Sequence, residues 1–308
     1  MNRFRRALGA LSSAALLGSF VVFAAGTGAA STAATAAPSI SNPPRVPVTW
    51  WSGQGGQGVT NTWAASNWSG YAETGTFAGV SSTWTVPTVA ASSSATYSSA
   101  WIGVDGFNNS NLIQTGTEED YYNGAAHYNA WWEILPAAET ALPSSYAVTG
   151  GDRMSAKIYE TSATTTVGGG GSRFGRGGRG GTTEHVWDIT ISDTTRGWTY
   201  STSQAYAGTG SSAEWIMEAP EVNGKIATLA HYAINAPSGV GDFDNAGVLS
   251  TIVSSGTPVY TGANLNFQND SGVMIQNNVQ VSTPGNPDVP LTAFNAAYGS
   301  ALPPTPVG

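Results

Sequence analysis

The residues in this chain that could do chemistry are few, and most are carboxylates. Glu214 and Glu218 stand four apart in an otherwise apolar stretch, "SSAEWIMEAP" (211–220). On a helix they would be exposed neighbours on one face. On a strand, side chains alternate, so Glu214, Ile216 and Glu218 share one face while Ala213, Trp215 and Met217 share the other. Strand geometry separates residues four apart by roughly 13 Å along the backbone, too far to share a proton as an aspartic-protease dyad does. A glycosidase pair, with carboxyls roughly 5–9.5 Å apart, would need its second member from a neighbouring strand, and Glu133 and Asp105 are the candidates.

Other chemistries are poorly supplied. The chain has no Cys, which excludes a disulfide scaffold, thiol catalysis and Cys-ligated zinc. There is no G-x-S-x-G elbow for a serine nucleophile. The histidines are His127, His185 and His231, far apart and without an H-E-x-x-H pairing, so they read as ordinary strand residues rather than metal ligands. "DFDNAG" (242–247) resembles half a calcium loop, but Ala246 stands where a third ligand belongs and Val253 where the bidentate Glu would be. A turn is the better reading there. No metal and no cofactor is expected.

The elements that position these carboxylates read as strands. Short runs rich in Val, Ile, Thr, Trp and Tyr recur from Trp63 onward between Gly, Asn, Ser and Pro clusters. Met154, Ala156 and Ile158 alternate with Arg153, Ser155 and Lys157, and Trp187, Ile189 and Ile191 alternate with Asp188, Thr190 and Ser192. That is period two, with no helical stripe. The expectation is an all-β fold of one domain, a sandwich or barrel, in which the 211–220 stretch is a strand ended by Pro220. "VGGGGSRFGRGGRGG" (167–181) has three arginines among glycines, as RNA-binding RGG segments do, but it lies between two good strands and reads as a hairpin loop.

Before Trp63 the chain has a different character. Arg3, Arg5 and Arg6 precede an apolar run from Leu8 to Ala25 and a small-residue cleavage region, the three parts of a secretory signal. We therefore read 1–30 as a signal peptide, with cleavage as late as 37, and 31–62 as a Pro/Gly/Ser-rich linker or short propeptide. The domain then runs over 63–299, with a tail at 300–308. Without the three signal arginines, 11 − 3 = 8 basic residues face 19 acidic ones. Such an acidic surface argues against nucleic acid and anionic membrane as partners. Charged residues make up 10% of the chain, well under the usual quarter. A fold with few carboxylate interactions to lose tolerates acid; a simple compositional bias would look the same.

"NWSGY" (67–71), "WTVPTV" (84–89), "AWIGVDG" (100–106), "LIQTG" (112–116), "AWWEILP" (130–136), "GD" (151–152) and "AEWIMEAP" (213–220) occur in the order seen in the glutamic peptidases, the eqolisin family. The resemblance covers about Trp63 to Tyr298. It implies a sandwich of two antiparallel sheets, jelly-roll or lectin-like, and a secreted, acid-acting endopeptidase working on protein or peptide substrates as a monomer. The family's catalytic pair falls on Gln114 and Glu218, and its surrounding aromatic and acidic residues on Trp68, Trp101, Asp105 and Glu133. Trp101 and Asp105 share strand parity and so would line one cleft. Glu214 would be supporting. Two positions depart from the family pattern, which has Asp where this chain has Asn129 and Glu118. The competing reading is a secreted carbohydrate-binding or glycan-hydrolysing sandwich using Asp105, Glu133 and Glu218, which gives Gln114 no special role. A third is an inactive adhesion sandwich.

Overall fold

The computed structural model describes residues 38–51, 62–166, 182–233, 241–266 and 269–306. The signal region and the Gly/Arg segment 167–181 lie outside the described residues. Among the described residues there is one 3-10 turn, Ser144–Tyr146, and otherwise only strands and loops. No described helix is long and apolar enough to cross a membrane.

One antiparallel hydrogen-bonded path carries most of the fold. It begins with Trp198–Ala205, Thr182–Asp193, Arg153–Thr166, Gly79–Thr85 and Gly241–Leu249. It turns through Phe294–Tyr298, Val279–Pro284 and Ser271–Gln276, then continues as Trp68–Thr74, Ser212–Glu218, Ser99–Val104, Ile113–Tyr122 and Ala125–Ile134. The two ends of the path pack face to face as a sandwich. Their shared core joins Trp84, Met154, Ile158, Trp187 and Ile189 to Ile102, Ile113, Trp215 and Met217. Bonds cross between the layers: Trp215 Nε1 donates to the Ser81 carbonyl at 3.0 Å and Trp84 Nε1 to Thr117 Oγ1 at 3.1 Å. The alternation read from sequence holds, since Met154, Ala156, Ile158, Trp187, Ile189 and Ile191 are buried while Lys157 is exposed.

Ser212–Glu218 is a central strand of this path, between Trp68–Thr74 and Ser99–Val104. Its odd residues enter the main core. Its even face joins a second, smaller cluster of Trp63, Trp68, Trp101, Leu112, Trp131 and Ile216. The carboxylates therefore stand on the sheet face away from the sandwich interior, on an aromatic floor.

Two expectations need correction. "DFDNAG" is not a turn. It lies in the Gly241–Leu249 strand, whose register shifts between Asp244 and Gly247, with Asn245 at φ 51°. A bulge absorbs the extra residue there and places Asp244 against Arg153. The second concerns the boundary at Trp63, because the compact unit begins at Pro38. Ile40–Ser41 pairs with Glu221–Val222, Val48 N donates to the Ala64 carbonyl and Arg45 N to that of Gly106. Arg45 lies 4.2 Å from the Phe107 ring centroid. A Pro- and Ser-rich composition signals an irregular backbone, not a free one.

Candidate active site

The register places the predicted residues in rows across the face. Glu218 stands between Trp68 and Ser99, whose next partner is Glu118, itself paired with Asn129. Two pleats along, Glu214 pairs with Gly103, which pairs with Gln114, which pairs with Glu133. Between these rows lie Trp101 and Gly116. A Cβ on Gly116 would come within 2.3 Å of the Ala100 carbonyl oxygen and 2.5 Å of Trp101 Cβ. The glycine ending "LIQTG" is thus what lets Trp101 settle across the strand.

Trp101 is more than floor. Its Nε1 donates to Glu218 Oε2 at 2.8 Å, and Asn67 Nδ2 donates to Glu218 Oε1 at 3.1 Å. Burial pushes the Glu218 carboxyl well above the usual range, these two donors pull it back, and the Glu133 charge pushes it further up. Trp68 packs edge-on against Trp101 with centroids 4.9 Å apart. Glu214 is also fully buried, and burial raises it too.

Gln114 Nε2 donates to Glu133 Oε2 at 2.7 Å and to the backbone carbonyl of Asn42 at 2.6 Å. A carbonyl can only accept, so this contact fixes the NH₂ end of the amide. Burial lifts Glu133 to about 7, partly offset by donors from Ser41, Asn42 and Gln114. Gln114, Glu133, Glu218, Trp68 and Trp101 thus share one face. Asp105 does not join them. It lies past the end of its strand at φ 72°, where strand parity no longer applies. Both its carboxylate oxygens hold the 206–211 loop, accepting from Tyr206 Oη at 2.7 Å, Gly210 N at 2.9 Å and Ser211 N at 2.9 Å. These bonds keep the Asp105 pKa low despite burial.

Sequence reasoning missed the peptide lying on this face. Ser41 Oγ donates to Glu133 Oε1 at 2.7 Å and Asn42 N to Glu133 Oε2 at 3.0 Å. The Pro43 carbonyl accepts from Trp68 Nε1 at 3.1 Å and Asn67 Nδ2 at 3.3 Å, and the Pro44 carbonyl accepts from Asn67 Nδ2 at 3.1 Å. Asn67 was legible as the first residue of "NWSGY". The contacts of Asn42 were not, because no local pattern predicts a contact seventy residues away. Glu139 was missed for the same reason. The face also gathers Glu118, Asp120 and Glu139, all raised chiefly by burial. Each histidine has a local role: His127 stacks on Tyr122, His185 Nδ1 meets Glu160 Oε1 at 2.6 Å, and His231 packs on Tyr298.

Residues 66–168 match the model of the Peptidase A4 family. Aspergillopepsin-2 of Aspergillus niger is 29% identical over 143 residues, covering 40% of this chain and 50% of its own length; the match spans half of that relative. The fold is similar to that of scytalido-glutamic peptidase, solved with a transition state analog inhibitor. That comparison has a TM-score of 0.54 at 22% identity and covers 76% of this chain and 98% of the other. A second structure of it, with a peptide based transition state analog, gives a TM-score of 0.50 at 23% identity with the same coverage. The matched segment holds six of the seven motifs in the order read from the sequence, and over residues 66–168 the chain is similar to the Peptidase A4 family, the glutamic peptidases.

Proposed function

We propose that this protein is a secreted, acid-acting endopeptidase in which Glu218 activates water and Gln114 stabilises the oxyanion. One observation carries the reading: Gln114 Nε2 holds a backbone carbonyl of an extended peptide at 2.6 Å, the contact an oxyanion donor makes with a scissile carbonyl. A glycan-hydrolysing site has no use for that contact.

In the open site, ionised Glu218 takes a proton from water as the oxygen attacks the carbonyl carbon, then returns it to the leaving nitrogen. Negative charge builds on the former carbonyl oxygen, where the Gln114 N–H stabilises it without any dependence on pH. Trp101 and Asn67 hold the Glu218 oxygens and favour the ionised form. Glu133 orients the Gln114 amide.

We read residues 31–62 as a propeptide, a reading supported by the contacts that Ser41 to Pro44 make on this face. The Asn42 carbonyl lies on Gln114 and the next two carbonyls on Asn67 and Trp68, so we take the Asn42–Pro43 bond as a stand-in for a substrate bond. Pro43 and Pro44 stiffen the peptide. While it stays, it lies on Asn67 and Trp68 beside Glu218, whose carboxyl burial holds well above the usual range. When it leaves, solvent lowers the pKa of Glu218 toward the ordinary glutamate value of about 4.3 and the base becomes available in mild acid.

The test is to hold the full-length protein at a series of pH values from about 2 to 7, spanning carboxylate titration, with a denatured protein substrate. Products are read by mass spectrometry. Peptide products appearing on the acid side, and their loss in Glu218→Gln, are expected. Absence of hydrolysis at every pH, in protein from which residues up to 62 have been lost, overturns the reading.

A further inference from the structure

Glu118 and Asn129 are cross-strand partners. They meet at one place, around the side chain of Asn42. Asn42 Nδ2 donates to Glu118 Oε1 at 3.2 Å and to Glu139 Oε2 at 3.4 Å, and Asn129 Nδ2 donates to Glu139 Oε1 at 3.5 Å. Asn42 and Glu118 are fully buried. Two atoms of this group are buried without a partner, Asn42 Oδ1 and Glu118 Oε2. A buried acceptor without a donor marks polar capacity that the resident side chain does not use up.

We propose that Glu118, Asn129 and Glu139 form a specificity pocket for a carboxamide side chain on the substrate residue whose carbonyl Gln114 holds, with the chain's own Asn42 as its resident occupant. The proposal rests on the peptidase reading of this site and names the residue class it selects. An apolar side chain here would bury the Glu118 and Glu139 carboxyls without the donor each now accepts from. A carboxylate side chain would add a further acid to Glu118, Asp120 and Glu139, which already repel one another. A carboxamide both donates and accepts, and so matches carboxyl groups that hold protons in acid. It donates through Nδ2 as observed, and its oxygen remains free for a carboxyl O–H.

Two measurements on the full chain test the pocket. Hydrogen exchange at the backbone amides of Ile40–Asn42 reads how firmly the resident peptide is held, whether or not any activity is found. At pH 4, Asn42→Leu is expected to exchange about tenfold faster than wild type, the scale of a lost buried hydrogen bond, with strand amides of the core unchanged. Protection equal to wild type overturns the proposal. Hydrolysis is then compared on paired peptides carrying Asn or Leu at a single position. Cleavage after Asn with kcat/KM about tenfold higher, reduced to near parity in Glu139→Leu, supports the pocket. Equal cleavage of both peptides by wild type overturns it while leaving the peptidase reading intact. Cleavage of neither sinks the peptidase reading, and the exchange result alone then decides whether this is a carboxamide pocket.

Discussion

Raising the pH should destabilise this protein, and Glu133 sets a scale for the loss. Its carboxyl is fully buried and its pKa lies at about 7 in the fold, against 4.5 for the free side chain. A folded-state pKa above the unfolded value means that the native state binds the proton more tightly. The associated stability is complete below about pH 4.5 and is lost as pH rises through about 7. A displacement of roughly 2.5 pH units corresponds to about 3 kcal/mol. For a domain of this size that is about 10 °C in Tm. Glu118, Asp120 and Glu139 are raised as well and act in the same direction. Asp105 and Asp152 are lowered, so the stability they lend is lost only when pH falls below the ordinary aspartate range. Maximum stability is therefore expected between about pH 3 and 5. Urea melts at pH 4, 6 and 8 measure this directly. Glu133→Gln should flatten the decline by about 3 kcal/mol and leave the remainder, from the other carboxyls, in place. Stability that is constant or rises from pH 4 to pH 8 would refute the argument.

Four further outcomes are expected. Glu218→Gln should abolish peptide hydrolysis with circular dichroism unchanged, whereas Glu214→Gln should alter stability more than turnover; equal loss in both would mean that the wrong glutamate has been assigned as base. Gln114→Ala should lower kcat by about two to three orders of magnitude, the usual cost of one oxyanion donor, and an unchanged kcat removes that role. Trp101→Phe deletes a donor that favours ionised Glu218, so the acid limb of the pH–rate profile should move to higher pH; an unmoved limb would make Trp101 mere packing. Arg45→Ala, which removes the guanidinium over Phe107, should shorten the lag before activity appears in acid, measured by continuous assay; an unchanged lag would show that Arg45 does not hold the peptide in place.

The parts of the molecule that obey a period were legible in the sequence. Alternation placed Trp187, Ile189 and Ile191 in the core, and the same rule put Glu214 and Glu218 on one face of a strand. It failed at Asp105, where a positive φ ends the strand and turns the side chain into a clamp for the 206–211 loop. It failed again at "DFDNAG", because a bulge can hold in a strand the residues that composition assigns to a turn. Motif order pointed to Gln114, Glu133 and Glu218 but said nothing of where they stand on the sheet. Register across four adjacent strands sets them on one face, and that could not be read from the motifs.

The segment before Trp63 shows the limit most clearly. Its prolines and serines give no pattern, so local physics offers no element there. Yet each backbone carbonyl from Asn42 to Pro44 has a donor waiting on the sheet face, from Gln114, Trp68 or Asn67. Two prolines contribute to this fit by what they lack. Without N–H groups, Pro43 and Pro44 bring only acceptors to Asn67 and Trp68, which donate to them, and their fixed φ leaves little entropy to lose on docking. The same lack makes the Asn42–Pro43 bond a poor one to cut, since its nitrogen is a tertiary amide held within a rigid ring. A segment that satisfies the donors of the proposed catalytic face while offering a bond that resists cleavage can remain there without being consumed.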